Sequence, residues 1–183
     1  MTEPFFSIGH SNRTLEAFVE LLRANEVRCL VDVRTVPRSR ANPQFNKDAL
    51  PESLAAHGIG YEHLAELGGL RSRDRSGLAP ELNGFWENQS FHNYADYALT
   101  PSFRNGLARL VELGGSRRCA YMCAEAVWWQ CHRRIITDYL LASGHDVFHI
   151  LSEGAPEPAR ITPEARPWEQ GLAYPARQQG LAL

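Results

Sequence analysis

The chain alternates short apolar runs with segments whose apolar residues recur at helical spacing, and this order constrains its fold more than any single motif. Five apolar runs predict strands, at residues 5–8, 29–33, 59–63, 119–123 and 146–151. Helical spacing predicts helices between them, at residues 15–25, 50–57, 101–113 and 131–142. Such alternation is typical of a parallel sheet with helices on its faces. We therefore expect an α/β fold with a mainly parallel sheet of about five strands flanked by helices, in a three-layer, Rossmann-like arrangement.

Residues at the ends of these segments support the helix limits. Thr14 precedes the first helix and is a residue type that caps helix N-termini. Pro51 fits only the first turn of the second helix. We expect Gly114 and Gly115 to end the helix at 101–113, and Ser143 with Gly144 to end the last one.

The length of the chain fits one domain. Its 183 residues are enough for one well-buried core and short for two. We assign residues 1–153 to the α/β domain. Beyond it, prolines at positions 156, 158, 163, 167 and 175 exclude long regular structure. Residues 154–183 are therefore expected to form an extended, Pro-rich C-terminal arm that wraps the domain or a partner, or stays loose, and not a second domain.

Charge and hydropathy narrow the class of protein. A net charge of -2 argues against a general basic surface that coats nucleic acid, although a local basic pocket remains compatible with it. No apolar run approaches the roughly 20 residues that span a bilayer. The acidic, strand-like N-terminus does not resemble a secretion signal. We expect a cytoplasmic protein without membrane contact, whose four cysteines are reduced thiols.

Residues 68–97 break the alternation and are rich in Gly, Arg and aromatic side chains. A segment of this length without strong periodicity is more often a functional covering loop than a disordered one. We interpret it as an aromatic and Arg-rich lid, containing Phe85, Trp86, Phe91, Tyr94 and Tyr97.

Polar side chains follow four of the predicted strands at their carboxyl ends, where ligands bind in open parallel sheets. Pro37 and Pro43 stiffen the loop after the second strand, so Arg34 and Arg40 suit a fixed anion cradle. Asp32, inside that strand, either faces the site or caps a neighbouring loop; if Arg34 pairs only with Asp32, its role is structural. The polar residues at these ends are His10, Ser11 and Arg13; Arg34, Arg38, Ser39 and Arg40; His63; and Cys123 with Glu125.

The most concentrated chemistry lies between residues 123 and 133, where a strand leads through a loop into a predicted helix. A helix N-terminus exposes unpaired N–H groups, so together with Arg133 it suits an anion. Glu125, two thiols and His132 offer acid/base or nucleophilic chemistry. The helix N-terminus and Arg133 are expected to lower the pKa of Cys131 and favour its thiolate.

Several familiar sites are excluded by spacing. A Cys-x5-Arg loop needs Arg at 129 or 137, where the chain has Trp129 and Thr137. The chain contains no Gly-x-Gly-x-x-Gly, Walker, His-Glu-x-x-His, Gly-x-Ser-x-Gly or Cys-x-x-Cys motif. Metal ligands are present, but adjacent Cys131 and His132 on a helix point about 100° apart. We therefore assign no metal site.

Ordered motifs along residues 5–151 resemble the bacterial and archaeal DUF488 family. The resemblance implies a compact α/β domain but no particular reaction. Relatives carry a charged residue, Asp and Pro between Glu125 and Cys131, whereas this chain has Ala126, Val127 and Trp128, so a more apolar pocket wall is expected. The matching motifs are Ile8-Gly9-His10-Ser11-Asn12-Arg13-Thr14, Leu30-Val31-Asp32-Val33-Arg34, Pro37-Arg38-Ser39-Arg40, Leu67-Gly68-Gly69, Met122-Cys123-Ala124-Glu125 and Cys131-His132-Arg133.

Three functions remain open at this point. The first is an enzyme acting on a small phosphorylated or nucleotide-like anion, or on a nucleic-acid end. The second is a non-catalytic sensor or interaction module that binds such a ligand, and the third is a thiol- or metal-based redox sensor. The cofactor is unknown. We assign catalytic roles to Glu125, Cys131 and His10, and ligand binding to Ser11, Arg34, Ser39, Arg40, Cys123, His132 and Arg133.

Overall fold

A computed structural model describes residues 3–177 of the chain. It contains a six-stranded sheet, a separate two-stranded hairpin and five α-helices among those residues. The strands are β1 Phe5–Gly9, β2 Cys29–Asp32, β3 Gly60–His63, β4 Cys119–Cys123, β5 Val147–Ile150, β6 Glu157–Pro158, β7 Arg166–Trp168 and β8 Gly171–Ala173. The helices are α1 Leu15–Ala24, α2 Leu50–Ala55, α3 Gln89–Tyr97, α4 Pro101–Ser116 and α5 Arg133–Ala142.

The sheet is mainly parallel, which confirms the α/β prediction. Its strand order is β3-β2-β4-β1-β5-β6, and only the pairing of β6 with β5 is antiparallel. The chain first builds β1, β2 and β3, and β4 then returns between β1 and β2. Gly9 pairs with Cys123 and Asp32 with Met122, so the carboxyl ends of β1, β4 and β2 lie side by side.

Alternate residues of each central strand face two separate apolar cores. In β4, Cys119, Tyr121 and Cys123 belong to one core, whereas Ala120 and Met122 belong to the other. Helices α3, α4 and α5 contribute to the first core, and α1 and α2 to the second. The strands are therefore apolar on both faces, as their continuous apolar runs indicate.

The structure corrects the predicted end of one helix and the predicted irregularity of residues 68–97. Helix α4 does not stop at its glycines but runs to Ser116. A Cβ at Gly114 would overlap the ring of Phe5, so this glycine allows close packing and does not end the helix. Residues 68–97 are also not wholly irregular, because they contain α3, which the Asn88 side chain caps by accepting from the N–H groups of Ser90 and Phe91.

The segment after β5 packs on the same sheet and helices as far as the structure describes it. Beyond β6, the backbone N–H of Thr162 donates to the Asp138 carboxylate on α5 at 2.8 Å. The Tyr174 hydroxyl donates to the other oxygen of Asp138 at 3.0 Å, and Tyr174 is fully buried. Residues 178–183 of the predicted arm lie outside the described residues.

Among the described residues, none of the helices has the length and apolar character needed to cross a membrane.

Candidate functional site

A pocket of about 370 Å³ opens at the carboxyl ends of β1, β2 and β4. Its walls are mostly apolar and include Val36, Leu70, Phe91 and Tyr94. Seven predicted site residues line it: His10, Arg34, Ser39, Cys123, Glu125, Cys131 and His132. The strand ends thus bring together side chains that are up to 122 positions apart in the sequence, from His10 to His132.

Ser11, Arg40 and Arg133 are not among the residues that line the pocket. Arg40 is exposed and does not line the pocket together with Arg34. Arg133 lies behind the cysteines, where it is fully buried. The pocket lining thus contains seven of the ten predicted site residues and leaves out these three.

Cys123 and Cys131, called here the thiol pair, place their sulfur atoms 3.1 Å apart. Both are free thiols, and a disulfide bond measures about 2.05 Å, so the sulfurs are in contact without a bond. Cys123 ends β4, and Cys131 follows a single 3₁₀ turn at Trp128–Gln130. The backbone of Cys131 is extended and α5 begins at Arg133. The prediction that Cys131 lies in the first helical turn was wrong by two residues.

The guanidinium group of Arg133 holds the thiol pair from behind. Its Nε donates to both sulfurs, at 3.0 Å to Cys123 and 3.2 Å to Cys131. Its Nη1 donates to the Ser7 hydroxyl and its Nη2 to the Glu125 carbonyl oxygen, each at 2.7 Å. Arg133 is 0% exposed and its hydrogen-bond partners are otherwise neutral, so the sulfurs are the groups that can balance its charge.

The contact of the two sulfurs with each other and with Arg133 gives the two thiols different pKa values. Burial raises the pKa of Cys123, but the hydrogen bond from Cys131 and the charge of Arg133 outweigh it and lower that pKa to about 6. Burial and the Cys123 sulfur raise the pKa of Cys131 well above its ordinary value. The thiol pair therefore shares one proton and carries one thiolate near neutral pH. The lowered pKa is thus a property of the thiol pair and not, as the sequence suggested, of Cys131 alone.

The loops after β1 and β4 lie against each other and fix this arrangement. The His10 N–H donates to the Cys123 carbonyl at 2.9 Å, and the Ser11 N–H to the Ala124 carbonyl at 3.0 Å. A Cβ at Gly9 would overlap the carbonyl oxygen of Glu125. The glycine of the predicted Gly9-His10 turn thus lets that carbonyl reach Arg133.

A buried ion pair between Arg34 and Asp32 lies at the pocket. Two nitrogens of Arg34 donate to the Asp32 carboxylate, at 2.9 and 2.7 Å, and the Tyr61 hydroxyl donates to the same group at 2.5 Å. A further nitrogen of Arg34 lies 3.3 Å from Nε2 of His10. Asp32 faces the site region and neutralises Arg34, which weakens Arg34 as a binder of free anions.

His10 is a neutral imidazole with a defined tautomer. Its Nδ1 lies 2.7 Å from the Ser11 carbonyl oxygen, which can only accept, and Arg34 can only donate to Nε2. The proton is therefore on Nδ1. Burial lowers the pKa of His10, and its ring stacks on Phe45 with centroids 4.4 Å apart. In this arrangement His10 orients Arg34 and its lone pair is occupied.

His132 joins the thiol pair to the loop after β2. Its Nε2 donates to the Val33 carbonyl at 2.7 Å, and burial lowers its pKa to about 4, so the ring is neutral at pH 7. A Cβ at Gly69 would overlap this ring, and one at Gly68 would overlap Thr35. The Gly-Gly motif after residue 67 therefore serves close packing against the site.

Glu125 and Arg38 bring exposed charge to the pocket. Both line it and are exposed to solvent. Arg38 forms no ion pair within residues 3–177. Ser39 accepts from the Asn42 N–H and holds this loop in place. The sequence placed Arg38 at the strand end without a role. In the structure it is a cation at the pocket that makes no ion pair with a described residue.

Sequence reasoning missed the apolar walls as binding residues. Phe91 and Tyr94 come from α3, inside the segment interpreted as a lid, so its aromatic content was the available signal. Val36 and Leu70 are 61% and 74% exposed at the pocket, which a single sequence does not reveal.

Within the part of the chain that the structure describes, no three His, Cys, Asp or Glu side chains converge in a way that holds a metal ion. The guanidinium of Arg133, which contacts both sulfurs, would also repel a cation there.

A family model described as "Domain of unknown function DUF488" matches residues 14–140, which is more than half of the chain. Neither a curated protein nor a solved structure matches.

Proposed function

Since the chain belongs to the DUF488 family, whose description names no reaction, we propose its function from the pocket: it is an enzyme whose thiol pair attacks a small substrate that carries an anionic group. One observation carries the proposal. The two sulfurs lie 3.1 Å apart, share the Nε of a buried arginine and line the pocket. A thiolate with a neighbouring proton donor is a nucleophile supplied with its own acid.

In the first half-reaction, Cys123 acts as the nucleophile and Cys131 acts as the acid. The Cys123 thiolate attacks an electrophilic carbon or phosphorus, the bond from that atom to the leaving group breaks, and the Cys131 proton passes to the leaving group. In the second half, water attacks the same atom, Cys123 leaves as thiolate and Cys131 regains a proton from that water. Glu125 stands at the pocket as a further acid/base group. Charge and protons balance over the cycle.

The substrate is inferred from the walls. Val36, Leu70 and Phe91 offer apolar surface for a flat body, and Arg38 offers an uncompensated cation. A small nucleotide-like or phosphorylated molecule, or the end of a nucleic acid, has both features. Ser39 and Arg34 would add hydrogen bonds, while Arg133 acts only through the sulfurs.

We also propose that the sheet and its helices form a three-layer, Rossmann-like arrangement. The apolar cores on both faces of the sheet support it. The contacts of Thr162 and Tyr174 with Asp138 support one domain, residues 1–153, along which the following arm packs. The cytoplasmic assignment stays a prediction.

The test uses 4-nitrophenyl acetate as a chromogenic electrophile and AMP as an anionic competitor. We expect a burst of nitrophenolate of one equivalent per chain, which AMP slows. Cys123→Ser should abolish the burst, and Arg38→Ala should remove the effect of AMP but keep the burst. The matched control is Cys29→Ala with Cys119→Ala, which removes two other buried thiols and should change neither result.

Two results would contradict the proposal. A burst that survives Cys123→Ser means that the thiol pair is not the nucleophile. AMP binding with no burst in the intact protein favours the non-catalytic sensor instead.

A further inference from the structure

We infer that the thiol pair is also a reversible dithiol–disulfide couple that exchanges with low-molecular-weight disulfides entering the pocket, and that Arg133 biases this couple toward its reduced form. This activity requires both sulfurs as redox partners, whereas the turnover proposed above uses the Cys123 sulfur as nucleophile and the Cys131 thiol as acid.

The geometry of the thiol pair is close to that of a bond. The sulfurs need to approach by only about 1 Å, from 3.1 Å to the roughly 2.05 Å of a disulfide. Cys131 is extended and lies outside α5, so its side chain can move without breaking a helical hydrogen bond. Both sulfur-bearing residues line the pocket, which gives a small disulfide a route to them.

The exchange balances without any further reactant. The Cys123 thiolate attacks one sulfur of the small disulfide, and the first small thiolate leaves. Cys131 then gives up its proton and attacks the Cys123 sulfur of the mixed disulfide, and the second small thiol leaves. The protein is oxidised by two electrons. The small disulfide is reduced to one thiolate and one thiol, since the reduced thiol pair supplies one proton.

Arg133 makes this oxidation less favourable. In the reduced state its Nε faces a thiolate, but a disulfide carries no charge. Arg133 is 0% exposed and its remaining hydrogen bonds go to the neutral Ser7 hydroxyl and Glu125 carbonyl. Oxidation therefore leaves a buried cation without a counter-charge, which is costly. The equilibrium shifts toward the reduced thiol pair, so the couple is easily reduced.

The strand-start cysteines, Cys29 and Cys119, offer an internal control. They lie directly opposite each other in β2 and β4, are 2% and 0% exposed, and do not line this pocket. Removing both as Cys29→Ala with Cys119→Ala leaves the thiol pair as the protein's two remaining cysteines.

The experiment equilibrates the intact protein and this double variant with reduced and oxidised glutathione at a series of ratios. Acid quenching, alkylation and peptide mass analysis then report the fraction of the cross-link between residues 123 and 131. We expect a reversible loss of two mass units at this link in both proteins. Arg133→Met should move the midpoint toward more reducing ratios by at least tenfold in the equilibrium constant, which is about 30 mV for a two-electron couple. Arg133→Lys should move it less.

Each outcome decides the inference. No link between residues 123 and 131 in the intact protein at any ratio overturns it, and that measurement needs no variant. An Arg133→Met midpoint equal to that of the intact protein, with the variant folded by circular dichroism, overturns the role of Arg133. The intact protein separates this inference from the proposed function. A nitrophenolate burst without the cross-link overturns this inference alone, and the cross-link without a burst overturns the proposed function alone.

Discussion

The two ends of the parallel sheet each hold a pair of cysteines, in contrasting surroundings. At the amino ends of β2 and β4, Cys29 faces Cys119 inside the apolar core. The charges that act on Cys29 are those of Arg117, Glu62 and Arg109, none of which is buried. Arg118 pairs with Glu3 and Glu26 at the surface. At the carboxyl ends, the thiol pair contacts a fully buried guanidinium, and a second arginine is buried beside Asp32.

This difference separates structural cysteines from reactive ones. Burial penalises the charged form at both ends, and at the amino ends the contact between the two thiols lowers the pKa of Cys29 while it raises that of Cys119. The carboxyl end adds a buried cation from the first turn of α5 and a pocket that both cysteines line, at the edge where the loops of parallel sheets converge. Cys29 and Cys119 thus pack in the core away from this pocket, whereas the thiol pair lines it.

The largest effect that tests this contrast is expected from Asp32→Asn. It leaves the nearly buried guanidinium of Arg34 without its counter-charge, which costs about 3–5 kcal/mol of unfolding free energy. Urea unfolding measures the loss. Glu62→Gln on the neighbouring strand β3, which weakens the partly exposed pair with Arg109 of α4, is the control and should cost much less. Equal losses in the two variants would remove the distinction between buried and surface charge.

A second prediction concerns the acidity of the thiol pair. The pH midpoint of iodoacetamide alkylation at Cys123 should lie near 6 in the intact protein and rise toward the ordinary thiol value of about 8.5 in Arg133→Met. Arg117→Met, placed at the amino end of β4, is the control and should leave the midpoint in place. A midpoint that stays near 6 without Arg133 would show that the hydrogen bond from Cys131 is enough to lower this pKa.

A third effect is expected from acid. Burial lowers the pKa of His149 to about 4, and neither ring nitrogen has a hydrogen-bond partner among the described residues. Because the unfolded ring titrates near 6.5, stability is present above that pH and about 3 kcal/mol is lost as pH falls to 4. His149→Phe keeps a ring against Trp128, which stacks at 4.4 Å, and should remove this loss. His145→Phe is the control at the amino end of β5, and thermal melts from pH 7 to 4 would show an equal change if the assignment is wrong.

The smallest effect should come from the amino-end surface. Arg118→Ala removes two ion pairs whose acidic partners are 51% and 74% exposed, so we expect a loss of about 0.2–1 kcal/mol. Urea unfolding at low and high salt checks it. A loss of several kcal/mol that salt does not reduce would place structural charge at this end as well.

The sheet could be predicted because its strands depend on local signals. β1, β2 and β4 are continuous apolar runs, and only strands buried on both faces need that pattern. Helix α3 was missed because polar residues interrupt its apolar face, and its aromatic side chains find partners only after folding. The end of α4 was missed for a similar reason, since the role of Gly114 depends on the distant Phe5.

The site was predictable as a set of strand ends but not as a set of contacts. The sequence placed His10, Arg34 and Cys123 at one edge, and the pocket includes all three. It did not reveal that Arg133 turns inward, because that depends on Ser7 in β1 and on the carbonyl of Glu125. The spacing of eight positions between Cys123 and Cys131 also gave no sign of sulfur contact, which the single 3₁₀ turn between them produces.

Strand β6 is only two residues long, and its brevity bears on how copies of this protein avoid one another. It is the edge strand that pairs with β5, and its two residues, Glu157 and Pro158, are both exposed. Proline has no N–H to offer a further strand, and a carboxylate repels a second copy of itself. That edge of the sheet is consequently a poor template for strand addition, and Pro158→Val with Glu157→Thr is the place where intermolecular aggregation of the folded protein would begin.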